Sequence, residues 1–529
     1  MLAKPSHRAF LRFYNPPHFR SRLLPCRYQS TNKPTPWRND TTDPPSVLVE
    51  DNYSRHTVFT VNFFRRFLKF SAIGLLAVGA TTWTALLGTH MWVEQVELAP
   101  ELDDEVRKWE WNLEAERWSG GPAGGTDPGL GFKGRLAARS AWIAQHWGAG
   151  SGTRVIGSKA YSGRSRSEGG LNAVEVRLEF AQDFLNIAIN SALKNANSGR
   201  VRPEAIAELI ARHANVMERM GTSDALFEAR SEYERVWAGL PGRGTDAARI
   251  ALKLGDLNRR LNDSDEALAW WARAIQLTRE GSNGALASVP PTVPESVPSS
   301  PLAQRTLVST LVSLSAHYAT SGQLSQARAI EESSLDLLRT IKQPDSLESA
   351  TAPQALHALY VLHRSSLLSI HLAEVTHALK EQPASSIQWL TRAAETSERV
   401  ALVLTGLPLI HPDAPQSQIP HPPSSETPLL SEYDKSYSMR HPARSLLRDA
   451  RRSAAEAWNL MGILVEGSGA QGSAEKALDC YERALGWAGV AGDRAGGIGR
   501  AGEGTLETEW KTLWTNYVRA RDAVRKVGS

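Results

Sequence analysis

The feature that most constrains this chain is an uninterrupted apolar run near its N-terminus. From Phe70 to Val93 the sequence has 24 residues, and none of them is Asp, Glu, Lys or Arg. As an α-helix the run reaches about 36 Å, which exceeds the roughly 30 Å of a bilayer's hydrocarbon core. A helix in the core of a soluble protein is usually shorter and keeps one polar face. The run therefore predicts a transmembrane helix over residues 70–93.

The first 40 residues have the composition of a mitochondrial presequence. Eight Lys or Arg residues precede the first acid, Asp40, and the stretch SHRAFLRFY places basic and aromatic side chains on different sides of a helix. We therefore predict a presequence over residues 1–40 and a linker over residues 41–69; a basic unstructured tail is the alternative. Loss of Cys26 with the presequence would leave Cys480 as the only cysteine, so we expect no intramolecular disulfide.

The charges on either side of the predicted span indicate its orientation. The span is preceded by Arg65, Arg66 and Lys69, and it is followed by the acids Glu94, Glu97, Glu101, Asp103, Asp104 and Glu105. By the positive-inside rule, Lys and Arg next to the ends of a span mark its inner side, which for the mitochondrial inner membrane is the matrix. We therefore expect a single-pass protein of the mitochondrial inner membrane, with its N-terminus in the matrix and its C-terminal domain in the intermembrane space.

One side of the predicted span carries small residues at four-residue spacing. These residues are Ala77, Thr81, Ala85 and Thr89. Rows of small side chains let helices approach closely in lipid. The row is a candidate docking face for another membrane helix, although small residues are also common in spans that dock nothing.

Charge and motif content exclude several classes of function. Residues 1–69 carry 12 Lys or Arg and 4 Asp or Glu, which leaves 48 and 52 for the rest, so no basic surface for nucleic acid is expected. The chain has no Walker A, HExxH, GxSxG, paired CxxC or Rossmann motif. His371 and His377 are six residues apart and point to different sides of a helix, so they do not form a metal site with Glu374. We expect no enzyme activity, cofactor, metal or small-molecule substrate.

Beyond the span the sequence predicts helices. We expect juxtamembrane helices and Gly-rich loops over residues 94–170, with residues 101–118 as one helix whose tryptophans lie in the core or at the membrane interface. An all-α domain of tetratricopeptide (TPR)-like helical hairpins, a solenoid tethered by the span, is expected over residues 171–529. The Pro-rich stretches 288–301 and 408–436 cannot continue a helix and are predicted to be surface insertions or flexible loops, with a structural role as the alternative.

The repeat prediction depends on a 34-residue pattern of small and large apolar positions. It is clearest from Ala248 and again from about Ala455, and weaker from Val308 and Leu367. Its signature residues are Ala251, Leu254, Gly255, Ala267, Trp271 and Ala274 in the first unit, and Trp458, Gly462, Ala477, Tyr481 and Ala484 in the last. In the unit from Val308, Glu331 stands where an aromatic residue is expected.

A TPR stack presents a groove lined by the first helix of each repeat. The candidate groove residues are Lys253, Asp256, Arg259 and Arg260. In TPR proteins that clamp a chaperone's C-terminal carboxylate, Lys and Asn occupy positions at which this chain has Leu252 and Asp256. A cytosolic chaperone co-receptor is therefore not expected.

The order of presequence, single span, Trp-rich juxtamembrane segment and TPR-like repeats resembles the fungal TPR-containing adaptor of the mitochondrial inner-membrane i-AAA protease, over most of residues 55–529. The resemblance implies a non-catalytic adaptor in protein quality control. Its partners would be membrane AAA protease subunits and unfolded substrate proteins, with inner-membrane lipid around the span. The alternatives are a scaffold or assembly factor for another inner-membrane complex, a TPR import receptor facing the cytosol, and an enzyme with an unrecognised site in residues 119–170.

The predicted orientation is tested by protease protection in mitoplasts. A C-terminal tag should be digested once the outer membrane is opened, because the domain then faces the added protease. A matrix protein serves as the protected control. Survival of the tag in mitoplasts whose intermembrane-space markers are digested contradicts the orientation.

Overall fold

A computed structural model describes residues 50–115, 117–148, 154–156, 173–240, 244–279, 290–347, 349–407, 428–489 and 510–528. The predicted presequence, Cys26 and residues 408–427 lie outside these ranges. The chain divides into two units, residues 1–81 and residues 82–529.

The described residues are almost entirely helical. The helices before the first long hairpins are α1 (Glu50–Trp92), α2 (Asp104–Lys108), α3 (Trp111–Glu114) and α4 (Gly131–His146). The middle helices are α5 (Val176–Ala196), α6 (Pro203–Met220), α7 (Ser223–Gly239), α8 (Thr245–Arg260), α9 (Ser264–Thr278), α10 (Pro301–Thr320) and α11 (Leu324–Arg339). The last are α12 (Ala352–Ala378), α13 (Pro383–Thr405), α14 (Ser431–Asp434), α15 (Tyr437–Gly467), α16 (Ser473–Trp487) and α17 (Trp510–Gly528).

The β-structure in the described residues is one antiparallel pair, β1 (Arg154–Ile156) and β2 (Ala173–Glu175), in which Arg154 faces Glu175. Three residues are too few to produce the alternating pattern by which a strand is recognised in sequence. The all-helical prediction is otherwise confirmed.

Helix α1 contains the predicted span but begins twenty residues before it, so residues 50–69 of the predicted linker are helical. Within the described residues one stretch, Thr57–Glu97, is long and apolar enough to cross a membrane; its most apolar part has a mean hydropathy of 1.6 and none of that part is buried. Its large apolar side chains are exposed; for example, Leu75 is 75% and Leu76 is 74% exposed. Length and composition alone therefore permit a membrane crossing.

In the second unit, helices that follow one another in the chain pack as hairpins. The pairs are α4–α5, α6–α7, α8–α9, α10–α11, α12–α13 and α15–α16. The last four pairs overlap the units predicted from Ala248, Val308, Leu367 and Ala455, but α10, α12 and α15 begin 7, 15 and 18 residues before the predicted starts. Their first helices also contact one another in chain order, α8 with α10, α10 with α12, and α12 with α15. We call the surface formed by these four helices the first-helix face.

Two glycines allow close contact between the helices of the α8–α9 and α15–α16 hairpins. A Cβ atom added at Gly255 would lie 2.5 Å from the Trp271 ring, and one at Gly462 would lie 2.6 Å from the Tyr481 ring. The same glycine–aromatic contact thus recurs at corresponding positions. All eleven signature residues are buried.

Two local predictions are wrong. Residues 101–118 do not form one helix, because the backbone at Glu110 is left-handed, with φ of 55°, and separates α2 from α3. The Pro-rich stretch is not a solvated insertion over residues 290–300, because Pro291, Pro294 and Pro298 are buried there. Val293 and Val297 pack against the α10–α11 hairpin core.

Glu331 in α11 is fully buried, and neither oxygen of its carboxyl group has a hydrogen-bond partner in the part of the chain that the structure describes. Burial, helped by the negative charges of Glu374 and Glu332, raises the pKa of Glu331 from 4.5 to about 9. The carboxyl group is therefore protonated in the folded protein at neutral pH, whereas it ionises in the unfolded chain.

The glycine contact gives one prediction. Gly255→Ala should destabilise the domain by about 1–3 kcal/mol, because the new methyl group overlaps the fully buried Trp271 ring. The matched control is Gly239→Ala at the end of α7, where nothing lies within 4 Å of the added Cβ, so stability should be unchanged or higher. Urea unfolding of the detergent-solubilised chain measures both. Equal effects of the two substitutions would contradict the close packing.

The buried acid gives a second prediction. Stability should fall as the pH rises from about 4.5 towards 9, because the unfolded state loses the proton that folded Glu331 keeps. Glu331→Gln removes this loss, so its stabilising effect should grow with pH by at most about 1.4 kcal/mol per pH unit. Unfolding at pH 5.5 and 8 measures the change, with the exposed neighbour Glu332→Gln as control. A pH-independent effect of Glu331→Gln excludes the protonated state.

Candidate functional site

The segment that follows α1 runs across the first-helix face. We call residues 97–118 the juxtamembrane segment; all of its contacts described here lie within the second unit. It meets Arg249 of α8, Arg305 of α10, His357 of α12 and Arg440 of α15. One irregular segment thus touches the first helix of four successive hairpins.

Arg305 is the centre of this contact. Its side chain is 1% exposed. Nη1 donates to the carbonyl oxygen of Trp109 at 3.1 Å, Nη2 donates to that of Glu110 at 3.2 Å, and Nε donates to the Glu114 carboxylate. The guanidinium carbon lies 3.9 Å from the centroid of the Trp111 ring. A buried charge is tolerated only when it is paired and hydrogen-bonded, and here the segment supplies every one of these partners.

Arg249 binds the next part of the segment through its backbone. Its two terminal nitrogens donate to the carbonyl oxygens of Leu113 at 2.8 Å and of Glu114 at 3.0 Å. The Trp111 side chain is fully buried, and its Nε1 donates to the Pro353 carbonyl oxygen at 2.9 Å. Two arginines therefore bind four backbone carbonyls of the segment, while one tryptophan fills the core beneath it.

Glu110 lies at the break between α2 and α3, and its side chain accounts for the position of that break. Its carboxylate accepts from the backbone N–H of Leu302 at 2.8 Å and from the Ser300 hydroxyl at the start of α10. The first turn of a helix has free N–H groups and a partial positive charge, so a carboxylate is stabilised there. The left-handed backbone at Glu110 is associated with this capping contact.

His357 completes the polar contacts on α12. Its Nδ1 lies 3.1 Å from Arg305 Nη1, and its Nε2 lies 3.0 Å from Gln304 Oε1. Burial, with a further contribution from Arg305, lowers the pKa of His357 to about 3. The ring is therefore neutral at physiological pH, so Nδ1 accepts from Arg305 while Nε2–H donates to Gln304.

The residues just before the segment are fixed to α4. The Glu94 carboxylate accepts from the Thr126 backbone at 2.9 Å and from Arg135 Nη2 at 2.9 Å, and Arg139 Nε lies 3.7 Å away. Val93 is fully buried. The start of the segment is thus held by an ion-pair cluster, independently of Arg305.

A cavity of about 470 Å³ lies between the segment, the Gly-rich loop and the start of α15. It is lined by parts of residues 98–102, 112–118 and 120–125 together with Tyr437 and Ser438. No His or Cys is among its lining residues, so the cavity lacks the usual pairing of a nucleophile with a base.

The four predicted groove residues lie towards the C-terminal end of α8, beyond Arg249. Lys253 Nζ lies 3.0 Å from Glu218 Oε2, and Arg260 Nη1 lies 3.9 Å from Glu218 Oε1. Burial by itself would lower the pKa of Lys253, but the combined effects of Glu218, Tyr233 and Asp256 exceed it and raise that pKa. Lys253 and Arg260 therefore form ion pairs within the domain.

Asp256 accepts from Trp271 Nε1 at 3.2 Å, and burial raises its pKa although Lys253 opposes this effect. Arg259 is half-buried on the same helix. None of the four predicted groove residues is among the contacts described for the juxtamembrane segment.

On the predicted docking face of α1, both threonine hydroxyl groups are hydrogen-bonded to the backbone of their own helix. The Thr81 hydroxyl donates to the Ala77 carbonyl oxygen at 2.8 Å, and the Thr89 hydroxyl donates to the Ala85 carbonyl oxygen at 2.9 Å. Both hydroxyl groups are thereby satisfied within their own helix, which leaves small side chains on this row.

One group of possible metal ligands occurs among the described residues, namely His213, Glu228 and Glu232, whose ligand atoms lie within 4.8 Å of one another. His213 Nδ1 is only 2.6 Å from Glu232 Oε2, which is a hydrogen bond. Two ligands of one zinc ion at about 2.1 Å each would stand more than roughly 3 Å apart in a tetrahedral site. The pair is therefore a buried hydrogen bond in this structure.

Sequence reasoning missed Arg305, Arg249 and Glu110, although two signals pointed towards them. Arg305 is the one Lys, Arg, Asp or Glu in the helix PLAQRTLVSTLVSLSAHYAT, and a charge that is buried in such a helix requires a partner. The segment supplies the matching acids and tryptophans in WEWNLE. Nothing in the sequence indicates that two stretches almost 200 residues apart meet.

No known protein-family model matches this chain, and none of the curated proteins matches it.

Proposed function

We propose that the protein is a non-catalytic adaptor, anchored in the mitochondrial inner membrane by α1, that binds substrate proteins on a TPR-like helical domain and delivers them to a membrane AAA protease. The observation that carries the proposal is the first-helix face itself. Arg249 and Arg305 bind backbone carbonyls of an irregular segment, and backbone binding is independent of side-chain identity. A surface with this chemistry is suited to binding polypeptides.

Three further observations support a TPR-like adaptor. Hairpins follow each other in the chain, and their first helices form one surface. The glycine–aromatic contacts of Gly255 with Trp271 and of Gly462 with Tyr481 recur at corresponding positions. Helix α1 has the length and composition of a membrane anchor, and acids follow it while basic residues precede it.

A scaffold or assembly factor for another inner-membrane complex is the second candidate. It needs the same anchor and the same polypeptide-binding surface, and it differs only in the partner. The charge reversal across the span supports either function, because both place the helical domain in the intermembrane space.

The test is affinity purification of the full-length protein in mild detergent, followed by mass spectrometry. AAA protease subunits and unfolded substrate proteins should be recovered. Thr81→Leu with Ala85→Leu should lower recovery of the membrane partner several-fold, because bulky side chains prevent close helix approach. The matched control, Ala80→Leu with Thr84→Leu, enlarges small residues on a different side of α1. Recovery of respiratory assembly intermediates without the protease supports the second candidate, and recovery of neither class contradicts both.

A further inference from the structure

We propose that the part of the first-helix face around Arg249, Arg305 and Pro353 is a binding site for acidic–aromatic peptide segments, and that the juxtamembrane segment is its built-in occupant. A partner polypeptide of the same chemistry would bind by displacing residues 101–118. The adaptor function proposed above does not specify this site, its ligand class or the displacement of an internal segment by the ligand.

Charge complementarity is the first argument. Residues 94–118 contain nine Asp or Glu and three Lys or Arg. The face opposes them with Arg249, Arg305 and Arg440. Arg305 is almost completely buried beneath the segment and would lose the only carboxylate partner that it has among the described residues if the segment left. A replacement ligand must therefore bring an acid to this position.

The contacts also define the order of groups in the ligand. Glu110 caps α10, Trp111 stacks on Arg305 and donates to the Pro353 carbonyl, and Glu114 pairs with Arg305. The recognised pattern is an acid, a tryptophan, two residues of any kind and a second acid, which reads EWNLE here. The residues between them contribute backbone carbonyls to Arg249 and Arg305.

The segment has the local structure of an exchangeable ligand. Its two helices have five and four residues, which is far below the length at which a helix is stable alone. It is therefore ordered by the face rather than by itself. Because it is tethered to the face, a free peptide competes against an effective concentration on the order of millimolar. The unmodified protein should consequently bind a free peptide weakly.

The experiment uses full-length protein in detergent micelles and a fluorescein-labelled synthetic peptide of residues 101–118, with binding measured by fluorescence anisotropy. Trp111→Ala with Glu114→Gln weakens the built-in segment and leaves the face intact. This released variant should bind the peptide on the order of tenfold or more tightly than the unmodified protein. Adding Arg305→Gln to it should abolish the gain.

Two controls accompany this measurement. Trp147→Ala removes a tryptophan that is 48% exposed and lies outside the segment, so peptide binding should stay at the unmodified level. A peptide in which alanine replaces Trp111 and glutamine replaces Glu114 should not bind the released variant. Equal binding of both peptides, or no gain in a released variant with native circular dichroism, overturns the proposal.

Hydrogen exchange of the unmodified protein keeps the proposal testable if the released variant does not fold. Millimolar unlabelled peptide should increase amide exchange within residues 101–118 and leave exchange in α16 unchanged. Unchanged exchange in the segment at this concentration overturns the competition. Only purified protein and peptide are used, so a negative result does not depend on whether a protease partner is recovered by affinity purification.

Discussion

The structure of the helical domain depends on one buried guanidinium group. Arg305 lies in a helix with no other Lys, Arg, Asp or Glu, and its cost of burial is offset by two carbonyls, one carboxylate, one neutral imidazole and one indole face. Four of these five partners come from a segment that precedes Arg305 by almost 200 residues. Loss of the segment without a replacement ligand would leave Arg305 with only the neutral His357 ring among these partners, which would destabilise the packing around it.

This dependence connects the fold with the proposed function. A stack of hairpins with a fully apolar first-helix face would bind any hydrophobic surface, whereas a buried arginine requires a ligand with an acid and an aromatic group in the right order. The face is thus selective because of the charge it buries. Its present occupant follows α1 directly in the chain, so a peptide-like segment and the surface that binds it lie next to each other.

Regular features of the fold could be predicted from the sequence, and irregular ones could not. The hairpins α8–α9 and α15–α16 were predictable because Gly255 precedes Trp271 by 16 residues and Gly462 precedes Tyr481 by 19 residues, so both partners of each contact fall within one repeat unit. The apolar part of α1 could be predicted from amino-acid composition alone. The break at Glu110 was not predictable, since helix propensity favours residues 101–118 and the capping of α10 overrides it.

The candidate groove residues lie on α8, which does contact the segment, but Lys253 and Asp256 bind Glu218 and Trp271 instead. The arginine of α8 that binds the segment, Arg249, lies one turn before Lys253.

The segment also changes how such a chain can reach its folded state. Helical hairpins that contact only their neighbours can form in any order, and their contacts are short in sequence. The segment adds contacts that span 136 residues from Leu113 to Arg249, 242 from Trp111 to Pro353 and 335 from Glu101 to Ser436. Contacts of that separation form slowly because a long loop must close first. The segment emerges before every helix it binds, so it is the earliest part of the domain to be made and the last to find its place.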